Sequence, residues 1–403
     1  MAPISATQTL LSPAELSYLH SSLSLHPPVR PDGRSSTQFR PLIAETDVLP
    51  STNGSTRVCF ADGTEAVVGI KLEVEKSFGV TSAVGVYSGA GSGGGEGDEE
   101  DAGNGSGENK SGKGRDRWVE VSIEIPGFRD DDSVPVFLAQ MLREAVLADG
   151  GLVNRLIINS RWNWRIYIDI LLLSPALSYP LPLLSLTTYL ALRTTRVPRL
   201  KSEGDEDPLF DDDWEAAEDL YPPTSRPQQW RNGDNDEEMQ DVTDGKKMVH
   251  GWTVNPPITL LVMSVGDNII FDPTREELAV ADAVLAVSVS VLSTPTTSTS
   301  TIQGKTSREF SILALRTVDL PGRLTNPGIP NSMNTATGGV APKSEEEGVL
   351  MREMMATEKG VWRPPRGGMN REVLKKMVGL VVEKGGVAEE VLEGLEGLEG
   401  VRI

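Results

Sequence analysis

Apolar and polar positions alternate most clearly around a turn at Asp62-Gly63. Val58 and Phe60 lie on alternate positions before it, and Ala66, Val67, Val68 and Ile70 follow it. Gly63 accepts the positive φ a tight turn demands, so the pattern predicts a β-hairpin. An extended, arginine-rich lead-in precedes it, V-R-P-D-G-R-S from Val29 and F-R-P from Phe39. Upstream, Ser12-Pro13-Ala14-Glu15 reads as the start of a short helix: Ser as N-cap, Pro in the first turn, Glu at the third position. Leu16 and Leu19 give that helix its apolar face, and His26-Pro27-Pro28 ends it.

Further along, Val119, Val121, Ile123 and Ile125 alternate with polar residues, a half-buried strand. Val134, Phe137, Leu138, Met141, Leu142 and Ala145 fall at helical spacing, predicting a helix from about Val134 to Ala148 that Asp149-Gly150-Gly151 stops. A strand is expected over Leu156 to Ile158, and a second one where Trp162, Trp164, Ile166, Ile168 and Ile170 alternate. Leu183 to Thr194 reads as an apolar helix. In the second half, strands are expected at Ile258 to Val265, from Ile269, at Val284 to Leu292 and at Phe310 to Leu315. Gly266-Asp267-Asn268 is a hairpin turn, and Thr274 caps a helix expected near Leu278 to Ala283. Two C-terminal helices show one face each, Val373, Leu374, Met377, Leu380, Val381 and then Val391, Leu392, Leu395, Leu398. The glycines of the Leu-Glu-Gly repeat weaken the last one. Strands, helix, strands, helix, repeated, define an α+β class.

Four stretches break the pattern and are expected as disordered inserts: about 88–116, 201–248, 293–307 and 321–346. They are too rich in Gly, Ser, Pro and acids to bury a core. The expected organisation is an arm and short helix over 1–28, one interrupted domain over 29–398 and a tail over 399–403. Charge changes this picture only locally. The net charge is −20, from Asp+Glu 58 against Lys+Arg 38. Lys201 to His250 holds sixteen acids and five bases, so −11 of it sits in one insert. The sum argues against a free-standing nucleic-acid binder, whereas a local basic surface stays open. The single cysteine, Cys59, reads as a small strand residue and fits a reducing compartment. His20, His26 and His250 have no metal-ligand spacing. No secretory signal is read at the N-terminus. The apolar stretch Ile166 to Leu192 is interrupted by Asp169, Pro175, Pro180 and Pro182, which argues against a membrane span.

The ordered string R-x-D-G-R, R-P, N-G-S-x-R-V and V-G-I-K, from Arg30 to Lys71, resembles the N-terminus of the RNase PH family. Within it the string is most similar to RNA exosome ring subunits. L-S-P-A-E-L-S-Y-L (Leu11 to Leu19) resembles the inactive, archaeal-type second subunit and its eukaryotic, fungal-like descendants. D-P-T-x-E-E at Asp272 to Glu277 and N-R-L-I-I-N at Asn154 to Asn159 are further family-like motifs in the same order. The resemblance implies an RNase PH-like (ribosomal protein S5 domain 2-like) fold, two pseudo-symmetric β-α-β-rich halves in one domain. It implies a six-membered ring with other RNase PH-like exosome ring subunits, S1/KH-type cap subunits, and RNA passing through the channel. No membrane, small-molecule substrate or cofactor is implied, and nucleus, nucleolus and cytoplasm are the expected locations.

Phosphorolysis needs a cradle for phosphate and carboxylates that hold a metal. Active relatives place a G-G-T-R-like loop after the I-D-x-x-x-L strand. Here Ser174-Pro175-Ala176-Leu177-Ser178-Tyr179-Pro180 stands there, without Gly or Arg, and its prolines lack N–H donors. The stretch Thr253 to Ile258, where paired aspartates are expected, has none. Asp211, Asp212, Asp213 and Asp219 read as a solvated acidic loop. No catalytic, cofactor or metal residue is therefore expected. Arg30, Arg34 and Lys71 are the candidate RNA contacts, with a structural role holding the N-terminal arm favoured for the two arginines. Trp162 and Trp164 share a strand face, which favours core or interface packing, and Arg143 reads as a buried or interface pair. The leading expectation is a non-catalytic ring subunit supporting 3'-to-5' RNA processing by associated nucleases. The alternatives are an active phosphorolytic exoribonuclease and an acidic scaffold working through its inserts.

Overall fold

A computed structural model of the chain describes residues 11–77, 115–174, 178–202, 204, 206–221, 255–292, 308–318, 362 and 369–399. Helix α1 (Pro13–Leu23) opens with the expected capping box: Ser12 Oγ accepts from Glu15 N, and the Glu15 carboxylate accepts from Ser12 N at 2.7 Å. The helix ends at Leu23, three residues before His26, with Ser24 as its C-cap.

The first sheet follows from the hairpin. Strand β2 (Gly54–Phe60) and strand β3 (Glu65–Lys76) pair antiparallel around Gly63, whose φ is +83°. Strand β1 (Leu42–Thr46), not anticipated from the alternation, adds an edge to β2. Strand β5 (Trp162–Leu172) pairs antiparallel with β3, and strand β4 (Val119–Glu124) pairs parallel with β5. The order is β1-β2-β3-β5-β4. Register puts Val68 beside Ile170, Ile70 beside Ile168 and Leu72 beside Ile166, so one face is apolar and buried.

Helix α2 (Ser133–Leu147) packs against β4. After Gly150 comes a short helix α3 (Gly151–Arg155), and the strand expected at Leu156 to Ile158 is reduced to one bridge, Ile157 to Asn163. Helix α4 (Leu181–Thr194) is buried from Leu181 to Leu192 because it lies against both sheets, touching β2, β3 and strand β8 (Ile258–Val265). The second sheet runs β11 (Phe310–Thr317), β10 (Ala283–Val291), β8, β9 (Asn268–Phe271), all antiparallel. Between β9 and β10 lies a single helical turn, α5 (Arg275–Leu278), shorter and earlier than expected. Helices α6 (Arg371–Val382) and α7 (Val387–Glu399) close the chain and bury Met377, Val381, Leu392 and Leu395.

Two motif residues bind the layers tightly. A Cβ on Gly54 would stand 2.5 Å from Thr195 Oγ1 and 2.6 Å from its Cα, so only glycine lets β2 approach the end of α4. Asn53 beside it accepts from Leu72 N at 3.0 Å and donates to Arg196 O at 3.1 Å.

The insert expected from residue 201 begins later than the sequence suggests. Strand β6 (Arg196–Val197) pairs with strand β7 (Glu218–Asp219), and Leu220 and Tyr221 are buried. Apolar anchors within an acidic run are what hold this segment down. Most of the other three expected inserts lies outside the described residues. No helix among the described residues is long and apolar enough to cross a membrane.

Candidate functional site

The lead-in runs along the surface, but its arginine side chains turn inward. It crosses the seam between the sheets and meets the loop that follows β9, bringing together two family-like motifs far apart in sequence. Arg30, 3% exposed, forms a two-point pair with Glu277: Nε to Oε1 and Nη2 to Oε2 are each 2.8 Å. Its remaining donors reach the carbonyls of Phe271 (3.1 Å), Asp272 (3.0 Å) and Ser35 (3.2 Å). Glu277 also accepts from Thr274 N at 2.8 Å as the carboxylate of the α5 capping box. A fully buried ion pair is tolerable only with its hydrogen bonds satisfied, and this one has them.

Asp272, fully buried at φ +46°, is the second node. Its carboxylate takes Arg34 Nη1 at 2.8 Å, Arg40 Nε at 2.9 Å, Arg40 Nη2 at 2.6 Å and Arg40 N at 2.9 Å. A non-glycine residue in left-handed backbone is held there by surrounding contacts, and these bonds supply them. Arg34 is also fixed by Asp32 Oδ2 at 2.6 Å. Arg40 sends Nη1 to Asp62 Oδ2 at 2.5 Å and to Ser178 Oγ at 2.6 Å, and its guanidinium lies 4.6 Å from the Phe60 ring centroid. Burial opposes the Arg40 charge, but hydrogen bonds and charge from Asp272 and then Asp62 outweigh it and hold its pKa above the usual arginine value. Burial would raise Asp62, yet hydrogen bonds from Thr64 and the charge of Arg40 bring it below the ordinary carboxylate range. Asp32 is lowered for the same reason, with Arg34 as donor against its burial.

The cluster therefore turns the two arginine candidates inward. Every Arg30 nitrogen has an internal acceptor, and Arg34 is clasped by Asp32 and Asp272, so neither presents a free guanidinium to RNA. These contacts are of the structural kind favoured for both from the sequence. Lys71 is exposed on the outer face of β3, opposite Tyr167. Arg143 donates to the carbonyls of Val119 (3.3 Å) and Asp116 (3.1 Å), a structural role within the first half. Of the loop expected to lack a phosphate cradle, residues 175–177 lie outside the described residues, while Ser178 is buried against Arg40. The partners Asp272 and Glu277 were visible as a motif but not as ligands of the arginines, since no local pattern joins residues 247 apart.

The second described cluster surrounds the start of β5. Arg161 and Trp162 meet Asp207, Trp164 meets Phe210, and Arg155 lies over Tyr221, its guanidinium 4.2 Å from the ring centroid. Burial pushes the Tyr221 hydroxyl up to about 12. No group of acidic, His and Cys side chains suited to a metal ion occurs among the described residues.

No family model matches the chain. Among solved structures, a chain of an archaeal exosome core is similar at 16% identity and a TM-score of 0.42, covering 84% of this chain and 91% of that one. Rice (Oryza sativa) Rrp46 is similar at 10% identity and a TM-score of 0.37, covering 87% and 98%. Sequence relatives are nearer. The exosome complex component RRP42 of Saccharomyces cerevisiae is 31% identical over 279 residues, 69% of this chain and 81% of the relative. The corresponding Schizosaccharomyces pombe component is 31% identical over 285 residues, 69% of this chain and 78% of the relative. At that identity over most of both chains, this protein belongs to the family of exosome complex component RRP42, the RNase PH-like ring subunits of the RNA exosome.

Proposed function

We propose that this chain is a non-catalytic, structural member of an exosome ring, pairing with other RNase PH-like subunits and contributing to the wall of an RNA channel beneath S1/KH-type caps. Family membership supports the ring role. The observation that carries the absence of phosphorolysis is the Arg40 cluster. Ser178 stands in the stretch where the resemblance places a phosphate loop, and its hydroxyl oxygen accepts from Arg40 Nη1. That guanidinium is already held by Asp62 and Asp272. An incoming phosphate would meet the carboxylates of Asp62 and Asp272 already paired with Arg40, and like charges at this range are strongly unfavourable away from water. Pro180, the residue before α4, has no N–H to offer an anion at that helix start.

The test has two arms. Tagged chain expressed in its own cell is expected to co-purify with RNase PH-like proteins; a lone monomer would remove the ring reading. Purified chain incubated with oligo-RNA and inorganic phosphate is expected to release no nucleoside diphosphate. Phosphate-dependent release, lost on substitution of Arg40, would establish the enzyme instead.

A further inference from the structure

The excursion between β6 and β7 carries ten acids and one base from Lys201 to Tyr221. Its described residues lie on cations and aromatic rings. Asp207 Oδ1 is 3.3 Å from Arg161 Nη2 and 3.2 Å from Trp162 Nε1. Asp211 Oδ1 is 2.9 Å from Lys201 Nζ. Phe210 lies on Trp164, ring centroids 4.8 Å apart. Lys76 Nζ sits 5.0 Å from the Trp162 ring centroid, so that indole already holds a cation against its face. Backbone bonds join its two legs, Lys201 N to Leu209 O at 2.7 Å and Asp211 N to Arg199 O at 2.8 Å, and Asn159 Nδ2 ties it down at Glu206 O at 3.0 Å.

Without the excursion, Lys76, Arg161, Trp162 and Trp164 would form a surface of cations interleaved with indoles. That is the chemistry that tracks a sugar-phosphate backbone and stacks bases without reading sequence. The excursion supplies carboxylates where phosphates would lie and a phenyl ring where a base would stack. We propose that this surface is a binding site for single-stranded RNA and that the acidic excursion occupies it as an internal substitute, which RNA must displace. The Asp207 pair with Arg161 is exposed, the Asp207 side chain by 75%, so it holds the excursion down weakly and exchange is feasible. This goes beyond ring membership and does not depend on it.

The experiment uses the full-length chain and a fluorescent twelve-nucleotide oligouridylate, read by anisotropy across a salt series. Asp207→Asn/Phe210→Ser/Asp211→Asn removes the contacts of Asp207 and Phe210 with the surface and the Lys201–Asp211 pair within the excursion, and leaves Leu220 and Tyr221 in place. Affinity is expected to rise about tenfold over the unsubstituted chain. The log-log salt slope is expected to steepen by about 0.7, since each phosphate contact on a single strand contributes roughly 0.7 and Arg161 loses its pair with Asp207. Adding Arg161→Glu and Trp162→Ala is expected to abolish the gain. A folded triple variant with unchanged affinity, or a gain that survives Arg161→Glu/Trp162→Ala, overturns the proposal. Should the triple variant fail to fold, Asp207→Asn/Asp211→Asn, which keeps Phe210 on Trp164, is judged by the same criteria. Co-purification with RNase PH-like chains is expected to be unaltered in every variant, which separates this outcome from the fate of the ring reading.

Discussion

Glu277→Ala probes the seam directly. The substitution deletes three accepted hydrogen bonds: two from Arg30 at 2.8 Å each and one from Thr274 N at 2.8 Å. It leaves the Arg30 guanidinium, 0% exposed, without its counter-charge. Breaking a buried pair from one side costs about 3–5 kcal/mol. Losing the capping interaction of α5 adds roughly 1 kcal/mol. Against a typical total stability of about 5–15 kcal/mol, a loss near 5 kcal/mol moves much of the population to the unfolded state at 37 °C. Urea titration followed by the fluorescence of the seven tryptophans measures it. Arg30→Met/Glu277→Leu supplies the control, because replacing both charges leaves neither stranded; it is expected to be more stable than either single variant, with a coupling of at least about 2 kcal/mol. If Glu277→Ala costs less than roughly 1 kcal/mol, or if the double variant is as unstable as the sum of the singles, the lead-in is not what joins the halves.

Three further outcomes are expected. Gly54→Ala places a Cβ within 2.6 Å of the Thr195 backbone, so β2 and the end of α4 must part, and the melting temperature falls by several degrees; an unchanged temperature in scanning calorimetry refutes the close contact. Tyr221 is raised from 10.0 to about 12, so the stability of its buried neutral form is complete below pH 10 and is lost as pH rises to 12, on the order of a few kcal/mol. Tyr221→Phe is expected to flatten that alkaline limb, seen in urea midpoints at pH 9 and 12. The lowered Asp62 works in the opposite sense: its contribution is present above pH 3.8 and declines as pH falls through its folded pKa, so Asp62→Asn is expected to be less stable at pH 7 and to show a shallower acid limb.

What the sequence displayed and what it hid divide along a physical line. Features set by neighbours in the chain were legible. The hairpin at Asp62-Gly63 needed only alternation and one glycine, and the capping boxes at Ser12 and Thr274 needed only a hydroxyl and a carboxylate three residues apart. Strand β1 was missed because it is a half-buried edge, where Leu42, Ala44 and Thr46 alternate with exposed Ile43 and Glu45 too briefly to stand out. The strand expected at Leu156 to Ile158 and the helix expected beyond Leu278 failed because packing against β5 and β8, rather than propensity, sets those backbones.

Charge was the harder reading. Arg30, Arg34 and Arg40 occur in a segment that, by composition alone, suits RNA as well as it suits internal acids. Deciding between them requires knowing that Asp272 and Glu277 arrive at the same place, and only the tertiary fold supplies that. The acidic run after Lys201 misled in the opposite direction. Its carboxylates suggested solvent throughout, whereas Phe210, Leu220 and Tyr221 within it are held against Trp164 and Arg155 and across the end of α4. In both cases the sign of the charge was the less informative property. What fixed each segment was whether counter-charges and apolar anchors lay within reach. The arginines are buried because acids await them at the seam, and the acids after Lys201 are held at the surface because three apolar side chains bring them to cations.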